Sequence, residues 1–242
     1  MTLRRFVTGM IRNSAATAIA AAIAATCLAV GSASASIVVY GNLGSTGTGA
    51  IATTGGIGLT SSAWRAIGFT VGGTNTFLQT ATIGLNVNSA GSADVRLDLY
   101  SNNAGVPGTS LFSTTETLAA NTLNLPISFN LNQTLTSGST YWIVAQKTGG
   151  AGVVSWRPGN PAVAPTVQNA SGWANLGNAT GINSTDGGST WGSTGTGQSS
   201  SISLVAVVPE PSMVAVMGAA GGMATMLRLR RSRRAVAPAT TL

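Results

Sequence analysis

The feature that most constrains the fold of this chain is a strict alternation of apolar and polar positions. In residues 123–131 every second side chain is apolar: Leu123, Leu125, Ile127, Phe129 and Leu131. A period of two places these side chains on one face of a β-strand and leaves the other face for solvent. Pro126 falls on the outward face and cannot donate to a sheet ladder, so this strand is predicted at an edge or at a bulge.

Shorter segments with the same period predict further strands at 37–40, 64–71, 80–87, 94–100, 111–118, 140–146, 153–156 and 202–207. The strand at 37–40 is predicted at an edge. The segment 140–146 is apolar on both faces through Tyr141-Trp142-Ile143-Val144, which indicates a central strand. The segment 101–108 is a dense turn signal, and Pro107-Gly108 within it suits the middle of a type II turn. Many short strands in one domain predict an all-β fold, an antiparallel β-sandwich that is jelly-roll-like, with a closed barrel as the alternative.

The first 35 residues have the three parts of a secretory signal peptide. The positive n-region contains Arg4, Arg5 and Arg12. The apolar stretch 15–30 follows, and the small residues Ala33 and Ala35 form the cleavage site. Cleavage there makes Ser36 the new N-terminus, and an uncleaved anchor is the alternative.

The C-terminal part begins with a hinge at 208–212, which reads Val208, Pro209, Glu210, Pro211 and Ser212. Because prolines exclude a regular helix here, this segment is predicted to be exposed. The apolar run 213–229 would extend roughly 25 Å as a helix, close to a bilayer core of about 30 Å, and is predicted as a single transmembrane helix. A basic cluster at 228–234 follows and would hold the C-terminus in the cytoplasm, with the preceding domain outside.

A hinge, an apolar run and a basic cluster in this order resemble the PEP-CTERM protein-sorting signal of Gram-negative bacteria. The resemblance covers about residues 208–234, and residues 235–242 form a short tail after it. It implies processing by an exosortase-type membrane peptidase. The residues that would carry sorting and processing are Val208, Pro209, Glu210, Pro211, Arg228, Arg230 and Arg231. A membrane anchor that is never cut is the alternative.

Between these ends lies a predicted extracellular domain, residues 36–207. The formal net charge of +7 belongs to the ends, since three n-region and five cluster arginines make up eight of the twelve basic residues. The charged residues of the domain are four basic and four acidic ones: Arg65, Arg96, Lys147, Arg157, Asp94, Asp98, Glu116 and Asp186. A neutral domain without a basic patch is not expected to bind nucleic acid.

The domain contains no cysteine and the chain no histidine, which excludes disulfides, thiol nucleophiles, Ser-His-Asp triads and the usual zinc ligands. Asp94 and Asp98 would share a strand face roughly 13 Å apart with Arg96 between them, too far apart for a glycosidase pair. This pattern predicts a charge-balanced solvent face. We therefore expect no enzyme and assign no catalytic residue.

No cofactor or metal-ligand set is predicted, but structural calcium stays open. Asp186-Gly187-Gly188 and the Asn102-Asn103 turn contain the oxygen donors that calcium uses. Ordinary turn formation explains both segments equally well.

Three tryptophans lie in or beside the Gly/Asn/Pro-rich region 157–201. Trp156, Trp173 and Trp191 could stack on sugar rings, with Arg157 hydrogen-bonding hydroxyls, and so form a glycan-binding platform. The alternative is that the rings fold back and cover one end of the sandwich.

A second resemblance rests on Trp64, on the segments 97–103 and 105–108, on the Tyr-Trp pair in 138–142 and on 186–191. This succession looks like the choice-of-anchor R type of bacterial surface domain over about residues 61–208. The resemblance implies a surface sandwich and transfers no catalytic residue.

These patterns predict an exported structural or adhesive protein of the cell surface or biofilm matrix. It would be anchored in the inner membrane as a precursor and then reach the cell surface or the extracellular space. Its expected partners are the membrane, the exosortase-type peptidase and, as a candidate, exopolysaccharide. A carbohydrate-binding module using the loop tryptophans is the alternative function.

Overall fold

The computed structural model describes residues 34–43, 49–73, 75–88, 91–159, 166–167, 172–176, 181–193 and 200–209. Within it, Ser36–Val208 forms a compact unit. The described residues form fourteen strands: β1 (Ser34–Gly41), β2 (Ile57–Leu59), β3 (Trp64–Thr70), β4 (Thr76–Val87), β5 (Ala93–Asn103), β6 (Val106–Leu118), β7 (Leu125–Leu135), β8 (Thr140–Gly149), β9 (Val154–Trp156), β10 (Thr166–Val167), β11 (Ala174–Asn175), β12 (Ile182–Ser184), β13 (Gly192–Ser193) and β14 (Ile202–Pro209).

The strands form two sheets of seven strands each. Sheet I has the order β10-β1-β14-β4-β9-β2, with β7 on the free edge of β4. Sheet II has the order β13-β12-β3-β8-β5-β6, with β11 also paired to β3. The registers between the long strands are antiparallel. The all-β, antiparallel prediction is confirmed.

One hydrophobic core lies between the two sheets. Sheet I contributes Ile83 and Leu204, and sheet II contributes Leu97 and Ile143, all fully buried in the same cluster. These side chains come from the alternating positions of β4, β14, β5 and β8, because every second residue of a strand faces the same side. Two antiparallel sheets with a shared core are consistent with the predicted β-sandwich.

Several strand predictions can be compared with the sheets directly. The strand β8 lies between β3 and β5, so the prediction of a central strand is confirmed. The strand β7 pairs with β4 alone, where Pro126 lies opposite Gly84, so its edge position is also confirmed. The edge position predicted for 37–40 is wrong at Tyr40 alone: β14 lies on one side of β1, and on the other side the described β10 pairs with Tyr40 and Gly41.

The turn predicted at Pro107-Gly108 lies elsewhere. The hairpin between β5 and β6 reverses at Ala104 and Gly105, with φ values of 50° and 91°, and Pro107 and Gly108 belong to β6. Two positive φ values in a row are typical of a type I′ turn, whose twist matches that of the flanking strands better than a type II turn. Asn102 supports the turn, because its Oδ1 accepts the Gly105 N–H at 3.2 Å.

Both ends of the folded unit lie at the same end of sheet I. Ser36 donates from its hydroxyl to Gln79 Oε1 at 2.7 Å, and Val207 lies opposite Phe77. Gln79 and Phe77 stand near the start of β4, so β1 begins and β14 ends beside the same part of that strand.

No helix in the described part of the chain is long and apolar enough to cross a membrane. The predicted transmembrane segment 213–229 and the signal-peptide residues 1–33 lie outside the described residues.

Candidate functional site

Two of the three predicted glycan-stacking tryptophans are core residues. Trp156 is fully buried, and its indole N–H donates to the Ser201 carbonyl at 2.7 Å. Trp173 is 6% exposed and stacks on Phe69 with ring centroids 5.5 Å apart at an interplanar angle of 8°. A side chain without an exposed ring face cannot stack on a sugar, so the predicted platform is wrong at both positions. The rings instead add large apolar area to the core.

The other two residues of the predicted platform, Trp191 and Arg157, make contacts with different parts of the chain. Trp191 is half-buried beside Trp64, with centroids 6.4 Å apart at 59°. The Arg157 guanidinium donates to the Gly55 carbonyl. Since Trp156 belongs to the core and Trp191 to a separate cluster, the structure does not bring the four predicted residues into one site.

The separate cluster covers the outer face of sheet II, and we name it the outer cluster. Its members are Ala66, Trp142, Val144 and Ile182, with Trp64, Tyr100, Val106, Leu176 and Trp191 packed around them. Trp142 lies between Gly68 and Tyr100 in the sheet register. A Cβ at position 68 would be 3.0 Å from two ring carbons of Trp142, so glycine leaves the space that the indole occupies.

Trp64, Tyr100 and Trp142 were not predicted as site residues from the sequence. Their alternation with Ile67, Leu99 and Ile143, which line the core, was a usable signal, because it places the three aromatic residues on the opposite face of the sheet. That signal says which face they share. It does not say that loops and the β5–β6 hairpin would cover this face.

A polar network lies beside the outer cluster and is centred on Asp98, which is fully buried. Its carboxylate accepts hydrogen bonds from Arg96 Nε at 3.0 Å, from Gln146 Nε2 at 2.9 Å and from the Ser113 hydroxyl. The predicted solvent face is therefore wrong at Asp98, because neighbouring strands supply donors that replace water. The pKa of Tyr100 is raised, mainly by burial and then by the charge of Asp98, while Arg96 opposes the shift.

A second buried charged group is Arg65, at 0% exposure. Its Nε donates to Ser200 Oγ at 3.2 Å and its Nη1 donates to Asn183 Oδ1 at 2.9 Å. Burial lowers the pKa of this guanidinium to about 10. Arg65 thus connects β3 to β12 and to the residue that precedes β14 by two positions.

The segment considered for calcium is a turn organised by Asp186. Its carboxylate accepts from the Thr190 hydroxyl at 2.6 Å, from the Thr190 N–H at 2.9 Å and from the Ser184 hydroxyl at 2.7 Å. These bonds, the Thr190 hydroxyl first, lower the pKa of Asp186 to about 2. In the described ranges no group of three or more His, Cys, Asp or Glu could hold a metal ion. These hydrogen bonds use three of the roughly four acceptor positions of the Asp186 carboxylate.

The processing residues are only partly described. Ser36 is exposed and lies in β1, which begins at Ser34, while Ala33 lies outside the described residues. The backbone of Val208 and Pro209 continues β14, so this strand is longer than predicted by two residues of the hinge. The described residues do not include the other five processing residues, Glu210, Pro211, Arg228, Arg230 and Arg231.

Comparison with known proteins finds no matching family model, no similar curated protein and no similar solved structure.

Proposed function

We propose that this chain is an exported structural or adhesive domain without enzymatic activity, delivered to the cell surface or matrix through its C-terminal sorting tail. One observation carries the proposal. The hinge begins within the last strand, since β14 ends at Pro209 and the Pro-Glu-Pro triplet begins there. Cutting the chain just after this strand would release or transfer the sandwich with its sheet order unchanged.

The strand order supports a jelly-roll as the finer fold assignment. The long strands of sheet I have the order β1-β14-β4-β7, and those of sheet II have the order β3-β8-β5-β6. Eight strands that alternate in this way between two facing sheets are the pattern of a double Greek-key jelly-roll. Such sandwiches are common in surface and capsid proteins, and fold alone assigns no activity.

The use of the carboxylates supports a structural role. Asp98 is bonded to three side chains, Asp94 accepts the Thr117 hydroxyl at 2.7 Å, and Asp186 organises a turn. A general acid or base needs an environment matched to proton transfer and access to a substrate. These three groups instead hold strands and a turn in place.

Intact mass of the protein recovered from envelope and medium fractions of its native host tests the proposal. We expect a species that begins at Ser36 and ends between Pro209 and Ser212, with or without an added attachment mass. Loss of the signal peptide and of the apolar run would establish both processing steps. A species that still contains residues 213–234 would mean a permanent membrane anchor and would contradict the sorting proposal.

The alternative, a carbohydrate-binding module, retains support from the outer cluster. Trp64 and Trp191 are half-buried side by side there, whereas Trp142, Trp156 and Trp173 are at most 6% exposed. Any tryptophan fluorescence quenching by a polysaccharide would therefore have to come from Trp64 or Trp191.

Fluorescence titration with a panel of polysaccharides separates the two functions. If the alternative holds, Trp64→Phe and Trp191→Phe reduce the quenching, and Leu111→Ala, a control at a 50% exposed apolar residue, does not. A flat response of the native chain to every glycan would favour the structural role.

A further inference from the structure

A depression of about 340 Å³ lies at one end of the sandwich. Its wall includes Thr60 and Ser61 after β2, Lys147 and Gly150 at the end of β8, and Val153 before β9. This volume is near the lower end of the range for small-molecule sites, about 300 to 1,000 Å³. The depression can therefore hold one compact ring-sized group.

The depression lies far from the point at which the chain leaves the folded unit. The Asn88 N–H donates to the Val153 carbonyl at 3.2 Å, so the depression adjoins the end of β4. Val207, near the exit of the chain, lies opposite Phe77 near the start of that strand. A strand of this length extends roughly 36 Å, and the two features stand at its opposite ends.

Lys147 is the single lysine of the chain, and it is half-buried in this wall. It follows Ile143 and Ala145 on the face of β8 that lines the core, so its stem lies at the sandwich end and its ammonium group can reach solvent. Among the described residues, Arg96 forms an ion pair with Asp98, whereas Lys147 forms none. The Lys147 charge is thus not neutralised by a carboxylate of those residues.

The walls around Lys147 are held in place before any ligand binds. Gly150 has φ +78°, and a Cβ there would lie 2.2 Å from the Ser92 carbonyl oxygen. On the other wall, the Thr60 hydroxyl accepts the Ala63 N–H at 2.8 Å, and the Thr60 N–H donates to the Ala63 carbonyl at 3.0 Å. Fixed walls lower the entropic cost of binding.

The groups in the depression match a particular class of ligand. An ammonium group attracts an anion, the hydroxyls of Ser61 and Thr148 suit a hydroxyl-rich molecule, and the exposed Val153 supplies apolar surface. A sugar ring that carries one carboxylate has all three complementary features. We propose that this depression binds a uronate residue of an acidic polysaccharide, with Lys147 pairing the carboxylate. The proposal rests on the extracellular location proposed above.

The single lysine makes a direct test available. Reductive methylation of the full chain in detergent micelles with ¹³C-formaldehyde gives one dimethyl-lysine signal, and dimethylation keeps the positive charge. Titration with trigalacturonate is expected to shift this signal to saturation, and added salt is expected to weaken the binding. Neutral galactotriose and acetate at the same concentrations are expected to leave the signal in place. No shift with trigalacturonate, or an equal shift with acetate, would overturn the proposal.

Variants test whether the charge of Lys147 is responsible. Lys147→Met should weaken trigalacturonate binding, measured by calorimetry, by about tenfold or more, as expected for loss of a charged hydrogen-bond partner. Lys147→Arg should retain most of the affinity. Arg157→Gln removes one positive charge at a residue outside the depression and should bind like the native chain. Equal binding by Lys147→Met and the native chain would refute the site. That result would leave the sorting proposal intact, because intact mass tests processing independently of binding.

Discussion

Asp98 and Asp94 lie on the same face of β5, four residues apart, in very different surroundings. Asp98 is fully buried and accepts bonds from Arg96, Gln146 and Ser113. Asp94 is half-buried, and its carboxylate accepts a hydrogen bond of 2.7 Å from the Thr117 hydroxyl. Asp98 should therefore contribute more to the free energy of unfolding than Asp94.

We expect Asp98→Ala to lower the free energy of unfolding by about 3 kcal/mol, because it leaves buried donors and the Arg96 charge without their acceptor. Asp94→Ala should cost under about 1 kcal/mol, since water can reach the group that it leaves behind. Urea denaturation of both variants measures the difference. Equal costs would mean that the Asp98 network does not stabilise sheet II.

At the scale of elements, the junction of β4, β9 and β14 depends on Ser201. Its hydroxyl accepts the Gly84 N–H at 2.8 Å and donates to the Arg157 carbonyl at 2.7 Å, while its own carbonyl accepts the Trp156 indole N–H. The strands β14 and β9 pair with successive parts of the same edge of β4. Ile83 of β4 pairs with Ile202 of β14, and Leu85 pairs with Trp156 of β9. Ser201 therefore joins three strands at one point.

A comparison of Ser201 with Ser203, which are both fully buried, separates the effect of the Ser201 hydrogen bonds from the effect of burial. Ser201→Ala should destabilise the fold by about 1 to 3 kcal/mol, because the buried Gly84 N–H loses its acceptor. Ser203 is equally buried, and its hydroxyl has no hydrogen-bond partner in the described structure. Ser203→Ala should leave the free energy of unfolding unchanged or raise it. Thermal and urea unfolding measure both effects, and a larger loss in Ser203→Ala would contradict this account of the junction.

At the scale of the whole molecule, the chain termini and the depression around Lys147 lie at opposite ends of the sandwich. The chain enters and leaves the unit beside the start of β4, where Ser36 contacts Gln79 and Val207 lies opposite Phe77. The depression around Lys147 adjoins the other end of the same strand. This separation suits a domain that is tethered at one end and presents binding groups at the other.

A structural feature of this molecule could be predicted from the sequence when its physical cause lies within one strand, and less well when it depends on residues distant in the chain. The strand β7 and its edge position follow from alternation and from Pro126, because the pleat and the missing N–H act within one strand. A turn within 101–108 was predicted, but its centre at Ala104-Gly105 was not, because a non-glycine residue with positive φ leaves no mark in composition. The sequence left open whether Trp156 and Trp173 are buried, because their burial depends on contacts with Ser201 and Phe69, residues that are distant in the chain.

The sequence by itself determined the class of fold and the limits on chemistry. Alternation with a period of two dictates strands, and a domain without cysteine or histidine must rely on its core and on hydrogen bonds. Only the tertiary structure decided which polar groups are buried and which rings are exposed. Strand pairing brings Asp98 to Gln146 and Ser113. The packing of the two sheets brings Lys147 to the loop that follows β2. These contacts join residues far apart in the chain, and no local pattern specifies them.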